Sequence, residues 1–235
     1  PLDKVNQNKN LLKNIVTLDF ENWDIKQKPK PIQIAIFDPV NENTENNGDV
    51  IIFVHGNHGT IYSIGPLVEK RADQLKKRII CFDWAGYGEC QGVPNELALC
   101  QAAQRTCEYL INELNVPLNR IIVYGRSIGS VGATFIASRF KVKKLILQCP
   151  LASAYDVVFQ NPLLPGNSLL NKERIKSFQN EILIIHGDQD KVIPLQNSYK
   201  LLKSIGVSDI IGSLEENGDK MLIGRKNLVT FVLLK

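Results

Sequence analysis

Along the chain, short runs of Val, Ile, Leu and Phe alternate with longer stretches in which apolar residues recur at helical spacing. Asn14–Phe20 and Ile32–Asp38 alternate apolar and polar side chains, as half-exposed antiparallel edge strands do, and Asn41–Asp49 is a polar, Asn-rich loop. Val50–Val54, Arg78–Phe82, Ile121–Tyr124, Lys144–Gln148 and Glu181–Ile185 are nearly continuous apolar runs, the composition of strands buried on both faces. Asp209–Leu214 is a weaker last strand. Ile61–Lys77, Asn95–Asn115, Ser127–Phe140, Leu195–Ile205 and Ile223–Lys235 carry the helical period. This order predicts an α/β fold: a mostly parallel central sheet of about eight strands with helices on both faces. Leu151–Asn180, with Pro162, Pro165 and Gly166, breaks the rhythm and reads as a short, lid-like excursion over the sheet edge. The organisation expected is a polar segment over 1–12 and a single domain over 13–235.

Composition narrows the function classes. At 235 residues, 44% hydrophobic and 22% charged, the chain can build one full core, which excludes disorder, collagen and a disulfide scaffold. The formal charge of +4 is spread without a dense basic stripe, so no nucleic-acid partner is expected. No apolar stretch approaches the roughly 18–20 residues of a membrane span, and Pro1–Asn10 lacks the apolar centre of a signal peptide, so no integral span is expected. Cys81, Cys90, Cys100, Cys107 and Cys149 are odd in number and form no CxxC pair, which points away from a disulfide framework or zinc site and toward an intracellular, reducing compartment. No metal or cofactor motif is present.

Three motifs carry chemistry. Gly125-Arg126-Ser127-Ile128-Gly129 directly follows the Ile121–Tyr124 strand and opens a helix, the context in which G-x-S-x-G forms a nucleophile elbow. Small neighbours let the serine adopt a strained turn with its hydroxyl at the helix N-terminus. His55-Gly56-Asn57-His58-Gly59 follows the Val50–Val54 strand, where an oxyanion loop belongs. The Asn57 and Ile128 backbone amides are the expected donors. His55 is read as a structural ring bonding loop backbone, and His58 as an exposed loop residue at the pocket mouth. His186-Gly187-Asp188-Gln189-Asp190 follows the Glu181–Ile185 strand; Asp190 is the expected acid, with turn formation or helix capping as the plain alternative for both aspartates.

These motifs, together with Asp83-Trp84-Ala85-Gly86-Tyr87-Gly88, resemble the α/β-hydrolase superfamily over about Ile32 to the C-terminus, nearest the small-lidded branch of serine aminopeptidase-like proteins and protein depalmitoylases. The resemblance implies Ser127 as nucleophile, Asp190 as acid and a catalytic histidine on a loop after the last strand. Leu214–Leu222 stands there and contains none; Asp219 or Lys220 occupies the place, and His55, His58 and His186 all precede Asp190. Losing that base costs on the order of a million-fold in turnover. The sequence therefore predicts a pseudo-hydrolase that binds other protein subunits of an assembly. The alternative is an active serine hydrolase on an acyl ester or thioester, with Lys220 or His58 as base.

Overall fold

A computed structural model describes residues 14–21, 28–40, 48–154, 156, 168–207, 220–224 and 229–234. Its strands are β1 (Ile15–Leu18), β2 (Ile32–Phe37), β3 (Val50–Val54), β4 (Arg78–Phe82), β5 (Ile121–Arg126), β6 (Lys144–Gln148), β7 (Glu181–Gly187), β8 (Lys220–Gly224) and β9 (Val229–Leu234). They form one sheet in the order β1-β2-β4-β3-β5-β6-β7-β9-β8. From β4 across to β9 the pairing is parallel, and β1, β2 and β8 add antiparallel edges. Every parallel strand thus ends at the same edge of the sheet, where the loops carrying Asn57, Ser127 and Asp190 gather.

The helices are α1 (Ile61–Leu75), α2 (Glu96–Asn112), α3 (Gly129–Arg139), the single turn α4 (Asn171–Arg174) and α5 (Gln196–Ser204). Polar side chains fix where they start. Thr60 accepts from the Ser63 amide at 3.1 Å while Ser63 Oγ accepts from the Thr60 amide at 2.8 Å, a reciprocal cap on α1. Asn95 Oδ1 accepts from the Ala98 amide at 2.9 Å on α2.

Alternate strand residues feed two cores. Ile52, Val54, Val123, Leu145 and Ile184 pack with Leu99 and Ala103 of α2 and Val131 and Ile136 of α3. On the opposite face Ile51, Ile79 and Ile122 pack against Tyr62, Val68 and Ala72 of α1. Each fully buried Ile or Leu is worth about 1.5–3 kcal/mol. Beyond α1 on that second face, Ile146, Leu183, Ile185 and Val232 are half-buried.

The C-terminal quarter corrects the sequence expectation. The described residues of Ile223–Lys235 are strand rather than helix: they contribute the end of β8 and all of β9, and Val229–Leu234 pairs with Ile182–Gly187. The run Val-Thr-Phe-Val-Leu-Leu is β-branched and apolar, and the open edge of β7 offers it a complete ladder, which overrides any helical spacing. Lys220–Leu222, expected in a loop, lies in β8. The expected strand Asp209–Leu214 lies outside the described residues. So does most of the lid-like segment, including Phe159, Leu163 and Leu164. Its described ends fold onto the main core: Leu169 packs there, and buried Asn171 donates to Ser130 Oγ and Leu151 O, both at 2.9 Å. No helix of the described residues is long and apolar enough to cross a membrane.

Candidate active site

The elbow is a consequence of local sterics. Ser127 sits between β5 and α3 with φ 54°, a left-handed conformation that costs a serine about 1–3 kcal/mol and persists only when its surroundings impose it. The two flanking glycines permit it, because they let the backbone of the turn approach its neighbours closely. A Cβ on Gly125 would lie 2.6 Å from the Gly129 carbonyl oxygen, and one on Gly129 would lie 2.2 Å from that of Val54. The Ser127 amide donates to Gln148 O at 2.9 Å, tying the turn to β6, and the hydroxyl is left facing the cavity without a hydrogen-bond partner among the described residues.

Opposite the elbow, the loop after β3 is held from below. His55 is buried, its Nε2 2.9 Å from Asp83 Oδ1 and its Nδ1 2.8 Å from Gly56 O. Asp83 Oδ1 also accepts from the Ile61 amide at 3.0 Å. Both nitrogens of His55 face oxygens, so neither is free to take a proton from Ser127; the ring is structural. It stacks on Trp84 at 4.4 Å, Trp84 lies 4.2 Å from Tyr87, and the Tyr87 hydroxyl donates to Asn57 Oδ1 at 2.5 Å. This stack sets the height of the loop that presents Asn57. Among the described residues neither the Asn57 nor the Ile128 amide has a backbone or side-chain acceptor, as oxyanion donors require.

Asp190 lines the same cavity, whereas Asp188 is exposed. Burial pushes the Asp190 carboxyl up, but the Ile193 and Val192 amides, each 2.9 Å from Oδ1, the Cys149 thiol and the nearby His186 ring outweigh it and hold it below the usual carboxylate range. Cys149 was not singled out in the sequence. It is half-buried, follows β6 directly, has φ 45° and donates its thiol to Asp190; its place just past the C-terminal end of a parallel strand is the signal that could have found it. Cys149, His186 and Asp190 bring their ligand atoms within 4.8 Å of one another. His186 Nε2 is spent on Ile193 O at 2.8 Å and Nδ1 on Ser198 Oγ at 2.7 Å, so the trio fits a metal ion poorly. Burial holds the His186 pKa down.

The cavity that joins these groups has a volume of about 510 Å³ and is lined by Ser127, Asn57, His58, Cys149 and Asp190 among others. His58 is exposed on its rim. Lys220 opens β8, four strands from β5. At the usual spacing of about 4.8 Å per strand that is roughly 19 Å. Asp219 lies outside the described residues.

A family model described as an alpha/beta hydrolase of unknown function (DUF1057) matches residues 26–155, more than half of the chain. The Caenorhabditis elegans alpha/beta hydrolase domain-containing protein aho-3 is 28% identical over 158 residues, 66% of this chain and 48% of that protein. Human alpha/beta hydrolase domain-containing protein 17B is 26% identical over 155 residues, 65% of this chain and 54% of that protein. The chain spans about half the length of the curated relatives it matches. Among solved structures, an alpha-beta serine hydrolase homologue from Coxiella burnetii superposes with TM-score 0.63 at 18% identity, covering 94% of this chain and 86% of that one. XC6422 from Xanthomonas campestris, an a/b serine hydrolase without lid, gives 0.61 at 15% identity, covering 94% and 83%. These two likenesses concern the fold.

Proposed function

From the premise that the chain belongs to the α/β-hydrolase family, we propose that it carries the nucleophile, acid and oxyanion donors of a serine hydrolase acting on acyl esters or thioesters. The observation that carries this reading is Ser127 at φ 54° in one cavity with Asn57 and Asp190, since a strained elbow is kept only where the surroundings enforce it. Ser127 Oγ adds to the acyl carbon, and the Asn57 and Ile128 amides take the charge that forms on the carbonyl oxygen. Collapse expels the alcohol or thiol, which collects the proton lost by Ser127. Water then adds to the acyl-serine and releases the carboxylic acid.

The base needs a different account from that suggested by Leu214–Leu222. The strand that pairs with β7 and ends at the Asp190 edge is β9, so a group carried just past Leu234 would stand at the edge that holds Asp190. A second reading, a binding subunit of an assembly, draws support from Ser127 Oγ having no ring nitrogen or amine in hydrogen-bond reach among the described residues.

Free imidazole separates the two. A fluorophosphonate should label Ser127 slowly without imidazole and on the order of a hundred-fold faster with it, because a general base contributes that much. Labelling should vanish in Ser127→Ala. No labelling of Ser127 under either condition would favour the binding subunit.

A further inference from the structure

A second cavity, of about 250 Å³, lies between α1 and the sheet face it packs on and shares Phe53 and Arg126 with the cavity holding Ser127. Its floor is apolar, from Ile51, Val68, Ile79 and the ring of Tyr124. Its rim is cationic. Arg71 and Arg126 are both exposed, and neither has a carboxylate partner among the described residues. Burial pushes the Tyr124 phenol up while the fields of Arg71 and Arg126 pull it back, so both guanidiniums act on the same hydroxyl. That hydroxyl donates to Gln148 Oε1 at 2.5 Å, so it is already engaged, and the charge on the rim comes from the two guanidiniums.

We propose that this cavity binds a short-chain carboxylic acid, its chain on the apolar floor and its carboxylate between Arg71 and Arg126. Two guanidiniums beside an apolar floor match an anionic head on an apolar chain. A cavity of about 250 Å³ is small, which favours a short chain such as that of hexanoate. The identity of the acid rests on the hydrolase reading, for which a carboxylic acid is the product released at Ser127. Arg126, which directly precedes Ser127 and lines both cavities, would receive that acid as it leaves.

The test uses the Ser127→Ala chain, which cannot turn over, with hexanoate as probe and hexanol as its uncharged counterpart, followed by titration calorimetry. Hexanoate should bind saturably with a dissociation constant on the order of 1 mM. Arg71→Gln and Leu75→Glu should each weaken it at least about fivefold; both positions are exposed on α1 and lie outside the Ser127 cavity. Hexanol binding as tightly as hexanoate would overturn the proposal. So would hexanoate binding that falls with Arg126→Gln but not with Arg71→Gln, which would place the acid beside Ser127. Because binding is read without turnover, a failed subsite with Ser127 still labelled by fluorophosphonate leaves the hydrolase reading standing. Binding without labelling removes that reading alone.

Discussion

The Asp188 amide donates to Leu234 O at 2.9 Å, and Gly187 lies opposite Leu234 in the ladder. This one contact ties the end of β9 to the start of the loop that carries Asp190. It makes the carboxyl edge of the sheet continuous from Asn57 through Ser127 and Asp190 to Leu234.

Gly129 is expected to tolerate no side chain. Its added Cβ would meet two backbone oxygens, of Val54 at 2.2 Å and His55 at 2.5 Å, neither of which can rotate away. Gly129→Ala should lower stability by at least about 2 kcal/mol and Tm by about 5 °C. Gly48→Ala, where nothing lies within 4 Å, should change stability by less than about 0.5 kcal/mol. Urea melts of the two variants make the comparison, and equal losses would show that the elbow can relax.

Asp156 supplies a pH dependence. It is 2% exposed, and burial pushes its carboxyl up, but Lys200 at 2.6 Å, Ser153 at 2.6 Å and Lys172 at 3.3 Å hold it below its unfolded value of 3.8. A carboxyl whose pKa is lowered by folding contributes stability above the unfolded value and loses it as pH falls through the lower, folded one. Stability should therefore fall below about pH 4. Asp156→Asn should cost about 2 kcal/mol at pH 7, below the full value for a buried pair because both lysines are partly solvated, and should flatten that acid limb. An unchanged limb in the variant would remove Asp156 from the account.

Cys149 should be the one thiol open to alkylation in the native protein, since the other four are buried. It should react slowly at pH 8, because burial and the Asp190 carboxylate raise its pKa, outweighing the Gly187 amide and Arg126. Asp190→Asn removes the charge and should speed iodoacetamide modification severalfold, as read by mass spectrometry. Unchanged speed would mean that the thiol does not feel Asp190.

Most of the sheet was legible because its central strands are near-continuous apolar runs bounded by turns. Val50–Val54, Arg78–Phe82 and Lys144–Gln148 match residue for residue. The loops that carry Ser127, Asn57 and Asp190 were legible by their place after such strands, and the roles of the three residues belong to the proposed function. What sequence could not show depends on partners distant in the chain. Val229–Leu234 is a strand because β7 has an open edge, and a six-residue apolar run alone does not distinguish strand from helix. The Tyr87 bond to Asn57, 30 residues apart, and the thiol of Cys149 on Asp190 arise only when the strand ends converge.

The last prediction follows from strand spacing. From β9 to β5 there are three strand steps, about 14 Å at the usual 4.8 Å. An imidazole is too short to cross that from Leu234 by itself, but a tail of about four residues, at roughly 3.3 Å each, can. Extending the chain past Lys235 by a Gly-Ser-Gly-His tail should therefore let an imidazole reach between Asp190 and Ser127, where the carboxylate fixes its tautomer and it accepts the serine proton. Hydrolysis of a short-chain nitrophenyl ester should rise on the order of ten- to a hundred-fold over the same tail ending in Ala, the lower part of the general-base range because the tail is not pre-organised. The gain should vanish with Ser127→Ala and shrink with Asp190→Asn. Lys220→His, one strand further out, should give none. A gain from Lys220→His and none from the tail would put the base back on the segment entering β8 and would mean that β9 does not mark its point of entry.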